Sequence, residues 1–130
     1  MKILSLPVAA LTASLLLLAG AVQALTIKPF TATELASAQN AGAPVALHVR
    51  ADWCPTCRAQ DQAFTSLKAD PALDKMTLLL VNFDQEKALL KTLNVRSQST
   101  VVVFKGKKEV ARDSGSVEPA ELKAVLGRAL

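Results

Sequence analysis

The chain has 130 residues and a net charge of +4, with two cysteines, one histidine and one tryptophan. That length suits one small domain with one core. The scattered basic excess excludes the dense cationic face of a nucleic-acid binder, and two thiols with one histidine fall short of the four protein ligands of a structural zinc site.

Met1–Ala24 carries one positive residue, Lys2, ahead of a long apolar run that ends on Val22-Gln23-Ala24. This reads as a secretory signal peptide, residues 1–24, cut after Ala24 to leave a domain of residues 25–130. The alternative is an uncleaved anchor, because the run nearly reaches the length of a bilayer span. A short strand is expected at Leu25–Lys28. Thr31-x-x-Glu34 is a capping box that opens a helix, and Gly42 stops it. Pro44–Ala51 is a valine- and leucine-rich buried strand. A helix follows from Cys54 to Asp70, with Pro55 in its first turn and Ala63, Phe64 and Leu67 facing inward. Met76–Asp84 reads as a second buried strand, and Gln85–Val95 as a helix burying Leu89, Leu90 and Leu93. Thr100–Gly106 and Lys107–Gly115 form a hairpin turning at Gly106, with Lys107 and Lys108 at a sheet edge. Ser116–Leu130 is a final helix with Pro119 in its first turn and an apolar stripe of Leu122, Val125, Leu126 and Leu130. The order implies an α/β fold. Early alternation gives parallel strands, the late hairpin adds antiparallel ones, and helices cover both faces of a mixed sheet.

The chemistry concentrates in Ala51-Asp52-Trp53-Cys54-Pro55-Thr56-Cys57-Arg58, where a strand gives way to a helix. As a staple the pair is useless, because so short a loop removes little unfolded-chain entropy. As a redox pair it is well placed. Free N–H groups and the positive end of the dipole at a helix start favour a thiolate. Cys54, at the exposed entrance, is the expected nucleophile with a lowered pKa. Cys57, one turn on and more buried, is expected to resolve the mixed disulfide by attacking Cys54. Arg58 is placed to add positive potential. A rival reading makes Cys54, Cys57 and His48 a soft-metal site for copper(I) or zinc, although the strand should bury His48 behind the cysteines. A third leaves the disulfide idle in a partner-binding domain.

The stretch Ala51–Arg58 resembles the active-site segment of thioredoxins. The resemblance continues through Val81–Gln85, Asn94–Val110, Gly115 and the final helix, covering Thr26–Leu130. It implies a thioredoxin-like fold and a thiol–disulfide oxidoreductase with Cys54 as nucleophile and Cys57 as resolving thiol. The redox-active disulfide itself is then the working group, with no separate cofactor and no metal. Trp53, Pro55, Thr56, Gln98 and Ser99 fall where such proteins meet their substrates. The implied partners are protein thiols and disulfides, plus a membrane electron carrier that recharges the site. With the signal peptide, the expected setting is the periplasm, and the chain is expected to act as a monomer and as a reductase; a Dsb-type oxidant is the alternative.

Three positions depart from the thioredoxin pattern. Ser99 stands where thioredoxins carry a cis-proline, and a trans Gln98–Ser99 bond with a reshaped loop is expected, since a cis bond before serine costs about 3–4 kcal/mol. His48 stands where thioredoxins bury an acid, and is a candidate proton acceptor for Cys57; the alternative is a core histidine with one satisfied hydrogen bond. Leu80 replaces a lysine that pairs with that acid, so the buried charge pair is lost and His48 is expected to be neutral. In the middle dipeptide, Pro55 has no N–H to offer the Cys54 thiolate, while Thr56 is expected to donate through its backbone and hydroxyl.

Overall fold

The computed structural model describes residues 24–130. The expected signal segment lies outside the described residues except for Ala24, which is buried and donates its N–H to the Lys68 carbonyl at 3.0 Å.

Five strands, β1 (Thr26–Pro29), β2 (Pro44–Arg50), β3 (Thr77–Asn82), β4 (Thr100–Lys105) and β5 (Lys108–Ser114), form one sheet in the order β1-β3-β2-β4-β5. The β1–β3 and β3–β2 pairs are parallel; β2–β4 and β4–β5 are antiparallel. This is the expected mixed sheet. Strand alternation divides it cleanly. Val45, Leu47 and Val49 of β2 pack with Leu35 of helix α1 (Ala32–Asn40) and Leu90 of helix α3 (Lys87–Thr92). Ala46 faces the other way, onto Ala63 and Phe64 of α2 (Pro55–Ser66) and Leu122 and Leu126 of α4 (Pro119–Gly127). His48 shares that second face, 5.1 Å from the Phe64 ring.

The helix ends explain where expectation and structure differ. Thr31 Oγ1 caps α1 by accepting from the Glu34 N–H at 3.0 Å. The Glu34 carboxylate pairs with Lys28 instead of reaching back, at 2.7 Å. Gly42, at φ 68°, closes α1 with N–H bonds from Gly42 to Gln39 and from Ala43 to Ala38, a Schellman motif. Asn94, at φ 54°, closes α3 in the same way, its neighbour Val95 donating to Leu90 at 2.8 Å. That helix also starts later than expected, because the Asn82 side chain accepts from the Asp84 and Gln85 N–H groups and holds a turn. Helix α2 ends at Ser66, short of Asp70, and tightens into two 3₁₀ turns, Leu67–Ala69 and Pro71–Leu73. A residue before proline resists the α conformation, so the helix cannot run to Asp70. At the C-terminus Leu130 is 49% exposed and beyond α4; Ala129 is buried in its stead.

Phe64 is the aromatic plug between α2 and the His48 face of the sheet, and it is 1% exposed. Phe64→Ala is expected to cost about 3–5 kcal/mol, measured as a lower urea midpoint with an unchanged slope.

Candidate active site

Strand β2 ends at Arg50, and Ala51, Asp52 and Trp53 turn the chain into α2. Cys54 is the N-cap residue. Its backbone is extended (φ −92°, ψ 110°), and its Sγ accepts the Cys57 N–H at 3.1 Å. Pro55 fills the first helical position, where an N–H would have no helical partner. The donor to Cys54 is therefore the backbone of Cys57, not Thr56 as the dipeptide suggested. Cys54 and Cys57 are joined in a disulfide. Both are buried, at 2% and 0% exposure, and pack with Ala51 and Phe83. The expected contrast of an exposed Cys54 over a buried Cys57 is absent in this oxidised form, because Ala51, Phe83 and Ser99, from the connecting segments, pack against the first cysteine. What lies open is the rim: Trp53, Pro55 and Thr56 are exposed and Gln98 is half-buried. Trp53 is fixed by an indole N–H donated to Asp84 Oδ2 at 2.8 Å. Arg58 turns back to the Asp52 carbonyl at 2.9 Å, bracing the loop.

Ser99 lies against the disulfide. The Gln98–Ser99 bond is trans, and Ser99 has φ 62°, left-handed for a residue that is not glycine. Such a conformation costs about 1–3 kcal/mol and needs its surroundings to impose it. They do so at both ends. The Ser99 N–H donates to Val49 at 2.8 Å, and its carbonyl accepts from the Gly115 N–H at 3.0 Å and from Gln60 Nε2 at 3.1 Å. The hydroxyl then sits 3.2 Å from Cys54 Sγ and 3.2 Å from Cys57 Sγ.

Behind Ser99 lies a buried polar chain. Gln60 Nε2 also donates to the Ser116 carbonyl at 2.9 Å, so its Oε1 is the acceptor facing His48 Nε2 at 2.9 Å. His48 Nε2 must carry the proton of the neutral ring. Nδ1 is left with a lone pair, buried without a hydrogen-bond partner, 3.5 Å from Asp61 Oδ1. Asp61 is held by Arg50, whose Nε and Nη2 donate to its two oxygens at 3.1 and 2.8 Å. Among the described residues, neither ring nitrogen bonds to a cysteine; His48 reaches the sulfurs through Gln60 and Ser99. Leu80 is His48's neighbour across the β2–β3 pair, as a neutral ring permits. No group of three or more His, Cys, Asp or Glu side chains among the described residues is arranged to hold a metal ion, and His48 does not converge on the two cysteines.

Sequence reasoning missed Gln60, Asp61 and Arg50. The signal was present. Gln60 interrupts the inward stripe of Cys57, Ala63, Phe64 and Leu67, and Arg50 follows His48 by two on the same strand face.

The family described as Thioredoxin matches residues 26–128. The chain belongs to the thioredoxin family. Among solved structures, Trxlp from Edwardsiella tarda EIB202 is 38% identical, with a TM-score of 0.74 over 78% of this chain and 98% of that one. The thioredoxin of Malassezia sympodialis shares the fold at 20% identity, with a TM-score of 0.68 over 81% of this chain and 92% of that one. Among curated proteins, the thiol:disulfide interchange protein DsbD of Cronobacter sakazakii is 38% identical over 74 residues, 53% of this chain but only 13% of DsbD's length. With the Cys54–Cys57 disulfide at the head of α2, the chain is a thiol–disulfide oxidoreductase acting on protein thiols and disulfides.

Burial holds the His48 pKa below its ordinary 6.5; the Gln60 hydrogen bond and the Asp61 carboxylate pull it back up in part, and Arg50 pushes it further down. Near that pH the unfolded chain binds a proton at His48 that the folded chain refuses. Stability is thus full above 6.5 and falls as the pH drops from there toward the folded value. Thermal melts between pH 7.5 and about 5.5 should show Tm falling in the wild type and a flatter profile in His48→Gln.

Proposed function

We propose that this oxidoreductase is exported to the periplasm and works there as a monomeric reductase of protein disulfides, recharged by a membrane electron carrier. The observation that carries the direction is the sparse backbone support for the Cys54 sulfur. It receives one N–H, from Cys57, and Pro55 removes another donor from the same turn. Each backbone donor that is missing leaves the thiolate less stabilised, and a less stabilised thiolate makes the dithiol a better electron donor. The apolar N-terminal run and its small-residue end support export. Identity to part of a thiol:disulfide interchange protein supports a carrier-fed role. The cycle begins when the Cys54 thiolate attacks a substrate disulfide, and ends when Cys57 displaces the substrate from Cys54.

A Dsb-type oxidant is favoured by one feature, the extra donor that Ser99 brings to both sulfurs. The reduction potential decides between them. Equilibration with glutathione buffers should place the pair nearer about −270 mV than about −120 mV; a value at the oxidising end would assign the opposite direction. In periplasmic extracts Cys57→Ala is expected to accumulate mixed disulfides through Cys54, whereas Cys54→Ala accumulates none. N-terminal sequencing of the fractionated protein should begin at Leu25; a start at Met1 in the membrane fraction would replace the soluble reductase with an anchored one.

A further inference from the structure

The Ser99 hydroxyl has two partners among the described residues, the sulfurs of Cys54 and Cys57, each at 3.2 Å. Sulfurs in a disulfide carry no proton, so the hydroxyl is the donor. It has one hydrogen for two weak acceptors, a poor return for holding a buried serine at φ 62° with three backbone hydrogen bonds. The arrangement becomes strong only when one sulfur is charged, because hydrogen bonds to ionised groups are about twice as strong as neutral ones. The proline found at this position in the thioredoxin pattern has no hydroxyl to give.

We propose that Ser99 is a catalytic residue of the exchange reaction, its hydroxyl donating to whichever cysteine sulfur carries the negative charge. The proposal rests on dithiol–disulfide exchange at Cys54 and Cys57. In the reduced protein the Cys54 thiolate accepts the Ser99 hydrogen. Cys54 attacks one sulfur of the substrate disulfide; that bond breaks, a Cys54–substrate disulfide forms, and the leaving thiolate takes a proton from water. The charge on Cys54 is now gone. Cys57 gives up its proton to water, and its thiolate accepts the same Ser99 hydrogen by rotation of the hydroxyl. Cys57 then attacks Cys54 Sγ, the internal disulfide forms, and the second substrate sulfur leaves and is protonated. Two electrons pass from the cysteines to the substrate, and Ser99 keeps its proton throughout. Equal distances to both sulfurs let one rigidly placed residue serve both steps.

Two variants separate the hydroxyl from the backbone. Ser99→Ala and Ser99→Gly both remove Oγ, but glycine adopts φ 62° freely, which keeps a folded variant in hand. The first readout is the pH profile of Cys54 alkylation in the reduced protein. Both variants should titrate about one pH unit higher than wild type, with about ten-fold less thiolate at lower pH. The second is release of a small thiol from a preformed Cys54 mixed disulfide, expected to slow about ten-fold in both. The potential should fall by about 30 mV for each ten-fold loss. Unchanged profiles in both variants, or a change in alanine alone, would overturn the proposal. Redox inactivity of the wild type alongside an intact alkylation shift would instead sink the oxidoreductase reading and leave the hydrogen bond standing.

Discussion

Among the described residues, the side chain of Gln60 joins more separate segments than any other polar group. Fully buried, its oxygen accepts a hydrogen bond from His48 on β2, and its nitrogen donates to the carbonyls of Ser99 before β4 and Ser116 before α4. Four segments distant in sequence are thus fixed to one amide. A buried amide must satisfy its oxygen and both hydrogens or destabilise the fold, so Gln60 admits one orientation. That orientation fixes the His48 tautomer and holds the strained Ser99 backbone. The sulfurs depend on it at one remove, because only that backbone carries the hydroxyl between them.

The electrostatics follow from the same packing. Thioredoxins resemble one another in setting an acid and a lysine beneath the cysteines; this chain has His48 and Leu80 there. The charged groups near His48 lie further out. Arg50 and Asp61 form a bidentate pair at the edge of the His48 pocket, partly open to water. Desolvating an ion pair costs less there than in the core. The price within is an imidazole Nδ1 with no donor, facing a carboxylate oxygen. The neutral ring fits this chain's lack of a lysine at position 80.

Much of this was legible in the sequence. Strand alternation put His48 on the inner face, glycine at position 42 and proline at 71 marked helix limits, and Cys54-x-x-Cys57 announced its chemistry. Local signals failed where one residue type stood in for another: Asn94 closed α3 as a glycine would, and the end of α2 turned into 3₁₀ geometry. They failed more deeply at the site. That Ser99 would adopt φ 62° depends on partners at positions 49, 60 and 115, and no window of sequence contains them. Gln60 was missed because its three partners are likewise remote. The burial of Cys54 also escaped, since position at a helix entrance says nothing about the loops that close over it.

Trp53 gives the molecule a further property. It is the single indole of a chain without tyrosine, exposed, yet pinned to Asp84. Tryptophan emission from the whole protein therefore comes from one position, the residue next to Cys54. Because the ring is anchored to Asp84 rather than free in solvent, that signal comes from a fixed point on the rim of the site.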